Sequence, residues 1–236
     1  MENQPVTPGE YEINQLAKEQ SWRLLRIMGE FIEGFDSLSN IQPAVTIYGS
    51  ARTPSEDPLY QEVEEIGSKL GHAGFSVITG GGPGLMEAAN KGARDAGANS
   101  IGLNIRLPDE QNPNPYTNIT LIFKHFFVRK VMLVKYSTAF VITPGGLGTL
   151  DELSEVLTLI QTLTIRPFPV ILFKRSFWQG LLTWLKDPVL TQGFISEGDL
   201  TLLRICDTPD EVVDAINLWA LHQKLSGHQA VRKNST

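Results

Sequence analysis

The residues able to do chemistry concentrate in one stretch, Thr143-Pro144-Gly145-Gly146-Leu147-Gly148-Thr149-Leu150-Asp151-Glu152. It follows the apolar run Ala139-Phe140-Val141-Ile142. It precedes a segment in which Leu153, Val156, Leu157, Leu159, Ile160 and Leu163 recur at helical spacing. Strand, glycine turn and helix start, in that order, make an anion seat. Glycines let the backbone turn tightly and approach a ligand, and the first-turn amides and the helix dipole favour negative charge. Physically this is a phosphate seat, with Glu152 an acid one turn along. A local alternative competes: Thr149-Leu150-Asp151-Glu152 has the spacing of a capping box, in which Glu152 satisfies the N-cap amide without any ligand. A phosphate on the same amides would release Glu152 to face the ligand.

A second glycine loop, Gly80-Gly81-Gly82-Pro83-Gly84, follows the run Phe75 to Thr79. Neither loop is a standard fingerprint. Leu85 stands where a dinucleotide motif needs its last glycine, and the 144–149 loop is too short for a P-loop and lacks its lysine. Either loop alone reads as a tight turn packing a helix on a strand; two in one sheet favour a phosphate-containing ligand. Arg129 and Lys130 sit inside the apolar segment Phe126 to Val134. Buried charges need partners; one of the two can reach solvent or a structural acid, and Arg129 is the one expected to meet a substrate phosphate or catalytic carboxylate. Arg52, just past the first strand, is a further phosphate candidate or an idle loop charge. Glu87 is a surface acid favoured by a helix dipole, or a ligand contact.

The elements that must position these residues alternate. Strands are expected at 44–48, 75–79, 100–105, 119–123, 139–142, 169–173 and 203–206. Helices are expected at about 9–35, 56–71, 83–96, 125–136, 153–163, 177–185 and 209–225, with a proline-bearing loop at 106–118. Short continuous apolar strands between helices predict an α/β fold: a Rossmann-like, doubly wound parallel sheet with helices on both faces, plus an N-terminal helix. The loops at 49–52, 80–84 and 144–149 all follow strands and should converge on the sheet's carboxyl edge. The expected organisation is a helical extension over 1–40, a nucleotide-binding domain over 41–225 and a polar, disordered tail over 226–236. Apolar positions on the 150–163 helix exceed the single stripe needed to cover a sheet, which predicts a partner subunit over the remainder.

Composition narrows the function. The 236 residues are 42% hydrophobic and 19% charged, as in ordinary globular proteins, and the net charge of −6 disfavours a nucleic-acid partner. The single cysteine, Cys206, lies in an apolar run and reads as an inert core thiol. His72, His125, His222 and His228 are scattered, so no metal site is expected. With no apolar span and no signal-peptide layout, the expectation is a cytoplasmic protein away from membranes.

Taken together, Gly80-Gly81-Gly82-Pro83-Gly84-Leu85-Met86-Glu87, Phe127-Val128-Arg129-Lys130 and the Pro144 to Glu152 motif resemble the LOG family. Its members are cytokinin riboside 5′-monophosphate phosphoribohydrolases, and bacterial relatives hydrolyse nucleoside monophosphates such as AMP. The resemblance covers roughly residues 43 to 220 and implies a Rossmann-like homodimer. It also implies catalytic roles for Arg129 and Glu152 and a phosphate site at Gly145, Gly146, Gly148 and Thr149. Further substrate contacts are implied at Ser50, Arg52, Gly81, Gly82, Met86, Glu87 and Lys130. Phe127 and Val128 stand where plant-type enzymes have histidine and glutamate, and the N-terminal helix is extra, so the chain is closer to the longer bacterial subgroup. The implied ligand is AMP or a cytokinin riboside monophosphate, with no cofactor. Hydrolysis of its N-glycosidic bond is the implied activity. Some relatives instead bind nucleotides or carry molybdenum cofactor, so a carrier on the same fold is the alternative. The label lysine decarboxylase, common in this family, finds no support, because no lysine is marked out for pyridoxal phosphate.

Overall fold

The computed structural model describes residues 20–107 and 112–233. Seven strands form one sheet: β1 (Ala44–Tyr48), β2 (Ser76–Thr79), β3 (Ser100–Ile105), β4 (Ile119–Phe123), β5 (Ser137–Ile142), β6 (Val170–Phe173) and β7 (Leu203–Cys206). Among the described residues the helices are α1 (Gln20–Leu38), α2 (Pro58–His72), α3 (Leu85–Asp95), α4 (Phe126–Lys135), α5 (Leu147–Gln161), α6 (Arg175–Trp184), α7 (Glu197–Leu200) and α8 (Pro209–Lys233). Every strand pairing is parallel, in the spatial order β4-β3-β2-β1-β5-β6-β7.

Side chains alternate across each strand, so one run of apolar residues feeds two cores. Phe140 and Ile142 of β5 join Val128 and Met132 of α4, Leu153 and Val156 of α5, and Trp178 of α6. Ala139 and Val141 join Tyr60 and Val63 of α2, Leu85 and Ala88 of α3, and Val212 and Ile216 of α8. The expected doubly wound sheet is therefore present, with α1 as the N-terminal helix. No helix among the described residues is long and apolar enough to cross a membrane.

The chain leaves β1 toward β2 on one side, while β5 begins the run to β6 and β7 on the other. The order reverses between β1 and β5, and the crevice beyond their carboxyl ends is where such sheets bind ligands.

Several boundaries differ from expectation, each for a local reason. Helix α5 begins at Leu147, not near Leu153, with Gly146 as its N-cap. The capping box is thereby overturned: Thr149 is the third helical residue and not the cap. Helix α3 starts at Leu85 because Gly84 takes a left-handed φ of 70°, which leaves Pro83 outside the helix. The expected 9–35 helix runs from Gln20 to Leu38, its first part lying outside the described residues. The last helix continues to Lys233, so residues expected in a disordered tail are helical as far as that position. A π-helical segment, Leu185–Val189, follows α6 and contains Pro188. Cys206 is buried in the core, where desolvation pushes its thiol up.

Candidate active site

Two strand ends are stitched together at the reversal point. The Thr143 amide and hydroxyl both donate to the Tyr48 carbonyl, at 2.9 and 2.8 Å, and the Ser50 amide donates to the Pro144 carbonyl at 3.1 Å. The start of α3 is drawn into the same corner by a 2.9 Å bond from the Leu85 amide to the Ser50 carbonyl. Gly84 must lack a side chain here, since a Cβ would lie 2.5 Å from that carbonyl oxygen.

The result is a cleft of about 570 Å³ between the β1 and β5 loops, α4 and α5. Of the residues expected from sequence, Ser50, Arg52, Met86, Arg129, Gly146, Gly148, Thr149 and Glu152 line it. The first-turn amides of α5 belong to Leu147, Gly148 and Thr149, and the N-cap Gly146 has no side chain to satisfy them. A Cβ at Gly146 or Gly148 would meet open space, so these glycines keep the approach to the amides clear.

The other expected residues lie outside the cleft lining. Gly145 sits behind the helix start, where a Cβ would collide with the Thr149 side chain. Gly81 and Gly82 are held by Asn104 and Asn114, whose side-chain amides donate to their carbonyls at 3.1 Å each. Glu87 accepts a 2.9 Å bond from the Tyr60 hydroxyl of α2. Lys130 faces away from the cleft, pairing with Asp151 at 2.8 Å and Glu155 at 3.3 Å, so it ties α4 to α5. Of the two cations in the apolar segment, Lys130 has the structural acids and Arg129 has the cleft.

At the cleft floor Arg129 Nη2 lies 3.5 Å from Glu152 Oε1, and both side chains are largely buried. One long contact does not repay the desolvation of two charges. Burial accordingly lifts the Glu152 carboxyl from 4.5 to about 7, against the opposing pull of Arg129 and Lys130. Burial also lowers the Arg129 pKa, although a guanidinium stays protonated. Three polar atoms here are buried without a hydrogen-bond partner: Glu152 Oε2, Arg129 Nε and the Tyr48 hydroxyl. Burial first, then Glu152 and Glu155, push the Tyr48 phenol well above its usual range, so it remains a donor. Such unsatisfied groups at a cleft floor mark a place for a polar ligand.

Sequence reasoning assigned no contact to Tyr48, Gly49, Ala51, Gly80, Leu133 or Leu147, all of which line the cleft, although Gly80 and Leu147 lie within its two glycine motifs. Tyr48 is the last residue of the strand at the reversal point, a position that only the strand order of the folded sheet reveals. No group of three or more His, Cys, Asp or Glu side chains suited to a metal occurs among the described residues.

Comparison with known proteins fits this geometry. The family model described as possible lysine decarboxylase matches residues 86–216, which include α3, α4 and the whole α5 seat. The cytokinin riboside 5′-monophosphate phosphoribohydrolase LOG3 of Arabidopsis thaliana is 30% identical over 175 residues, covering 71% of this chain and 79% of the relative. LOG1 of the same plant is 33% identical, over 70% of this chain and 79% of its own. Among solved structures, the molybdenum cofactor binding protein of Rippkaea orientalis superposes with a TM-score of 0.54 at 24% identity, covering 75% of this chain and 97% of that one. The molybdenum cofactor carrier protein of Chlamydomonas reinhardtii gives 0.51 at 20%, covering 74% and 96%. These two establish likeness of fold. The extent of the family match, with the curated relatives, places the chain in the LOG family, the one also described as possible lysine decarboxylase.

Proposed function

We propose that this protein hydrolyses the N-glycosidic bond of a purine or cytokinin nucleoside 5′-monophosphate, releasing free base and ribose 5-phosphate. The observation that carries the reading is Glu152: a buried carboxyl, poised near pH 7, one turn beyond amides suited to a phosphate. Glu152 follows Thr149 by three residues, roughly 4.5 Å along the axis and on the same face. A nucleotide seated by its phosphate at Leu147, Gly148 and Thr149 extends its ribose toward that acid. As the bond from C1′ to the base nitrogen opens, positive charge grows on the ribose ring and ionised Glu152 stabilises it. Water then adds at C1′, giving one proton to the departing base and leaving the hydroxyl on the sugar. Arg129 favours the ionised form of Glu152, and Tyr48 offers a hydroxyl donor to the sugar or the water. Ser50, Arg52 and Met86 are the remaining contacts of this reading.

The activity for which the plant relatives are named supports the substrate class. The decarboxylase description has no support in the site, because a pyridoxal-phosphate enzyme needs a lysine for its Schiff base and the residues lining the cleft include none. Incubation with AMP, followed by chromatography, tests the proposal: adenine and ribose 5-phosphate should appear in equal amounts. Tight nucleotide or molybdenum-cofactor binding without base release would instead favour a carrier on this scaffold. A melting temperature that nucleotides do not raise would count against both.

A further inference from the structure

We propose that Glu30 of α1 is a positioning residue for Arg129, and that α1 serves as a splint for the helix that carries this arginine. The inference rests on the hydrolase reading above for its kinetic consequence, but its structural basis is separate.

Helix α4 begins poorly on its own. Its N-cap, His125, makes no side-chain capping bond, and its first turn carries no acid. The missing anion comes from α1. The Glu30 carboxylate accepts from the Lys124 amide at 3.2 Å through either oxygen and from the His125 amide at 3.3 Å, and lies 3.1 Å from His125 Nδ1. Both side chains of the Glu30–His125 pair are nearly buried. A carboxylate at this end of a helix is favoured by its dipole. Arg129 is next in line, since its amide donates to the His125 carbonyl at 3.3 Å.

The contact continues along α4. Gly34 lies so close that a Cβ would come within 2.8 Å of Met132 Cε, one turn past Arg129. At the far end the Tyr136 hydroxyl donates to the Phe35 carbonyl at 3.3 Å, and Lys135 lies over the Phe35 ring at 5.3 Å. Three anchors in parallel order thus fix the axis and rotation of α4. That matters because Arg129 meets Glu152 through a single 3.5 Å contact, while its guanidinium lies over the Phe126 ring of its own helix at 5.4 Å, a contact that moves with α4.

Loosening α4 withdraws Arg129 and leaves the Glu152 carboxylate less stabilised. The groups acting on Glu152 are Arg129 and Lys130 from α4 and Asp151 and Glu155 from its own helix, with Tyr48 of β1 beside them. Burial raises the Glu152 pKa most, and among the charged groups only the α4 pair favours the ionised form, so withdrawing Arg129 while Glu152 stays buried displaces it upward.

The test is Glu30→Gln, with Glu33→Gln as control, an exposed acid on the same helix. The Glu152 carboxyl is titrated by ¹³C NMR, and base release from AMP is followed against pH. Glu30→Gln should move the Glu152 titration and the acid limb of kcat upward together and lower kcat at pH 7 by about tenfold, with KM little changed. Glu33→Gln should match the native protein. Gly34→Ala tests the splint without altering charge and decides the matter if Glu30→Gln does not fold. A folded Glu30→Gln, or failing that a folded Gly34→Ala, with native Glu152 titration overturns the inference. Absence of base release from the native protein would overturn the hydrolase reading instead, while the NMR titration still judges the role of Glu30.

Discussion

Glu152 is asked to do two opposed things, to be buried and to be charged, and its raised pKa records the conflict. If its ionised form is the working one, kcat/KM should fall tenfold per unit on the acid side of about pH 7, as a pH–rate profile would show. Glu152→Gln keeps the shape and removes the charge. Base release should drop by about two to four orders of magnitude while AMP binding, measured calorimetrically, persists; unchanged turnover would remove Glu152 from the mechanism. The same variant makes a stability prediction. The folded carboxyl holds its proton more tightly than the unfolded chain, so its contribution is complete below pH 4.5 and is lost as pH rises to about 7. A glutamine never ionises, so above pH 7 the variant should exceed the native protein by on the order of 3 kcal/mol, an advantage absent near pH 4. Parallel melting curves at the two pH values check it. Arg129 and Glu152 were legible in the sequence because a charge in an apolar segment and an acid after a glycine motif both demand explanation. Tyr48 was not, since an unpartnered hydroxyl exists only once its neighbours have packed.

At the scale of elements, the start of α5 shapes one wall of the cleft. Sequence spacing allowed a capping box at Thr149, but Gly146 takes the cap position and carries the helix start three residues earlier. The glycines nearby therefore serve access more than bending. Gly148→Ala should leave the melting temperature level or slightly higher, as alanine is favoured in a helix by roughly 0.5–1 kcal/mol. Because its Cβ would project into the open approach, AMP affinity should nonetheless fall by about tenfold. Loss of stability with unaltered affinity would contradict this account. The 80–84 loop behaves differently, held from behind by a buried polar hub. Asn90 accepts from Thr79 at 2.6 Å and from Asn114 at 3.0 Å, and donates to Ser100 at 2.9 Å. Asn90→Ala strands these partners in the core and should cost roughly 2–4 kcal/mol in denaturant unfolding. That hub was invisible in the sequence, where an asparagine inside a helix announces nothing; its partners come from separate elements, β2, β3 and the loop before β4.

For the molecule as a whole, the parallel sheet and the convergence of its loops followed from the order of apolar runs, whereas the strand order needed the fold itself. A second candidate surface for a partner subunit, besides the 150–163 helix, lies elsewhere on the molecule. Of the apolar positions expected to be surplus on the 150–163 helix, Leu150, Leu157 and Leu159 pack half-buried against the core, while Leu163, just past the end of α5, is exposed. Exposed apolar side chains gather instead on α1 and α4: Trp22 at 73%, Leu25 at 57% and Ile32 at 61% on the first, with Phe126, Phe127 and Val131 on the second. On α1 they lie away from the stripe of Ile27, Phe31 and Leu38 that packs on the core. Patches of this kind mark interaction surfaces, and a self-complementary surface closed by two-fold symmetry is the simplest way to cover one. The chain is therefore expected to sediment as a homodimer at micromolar concentration. Ile32→Arg places a charge on the patch without touching Glu30, Gly34 or the cleft, and it should weaken dimerisation at least about tenfold. A native chain that sediments as a monomer would leave α1 as a splint alone. A dimer indifferent to Ile32→Arg would move the interface elsewhere, to the exposed Leu147 and Leu163 at the two ends of α5.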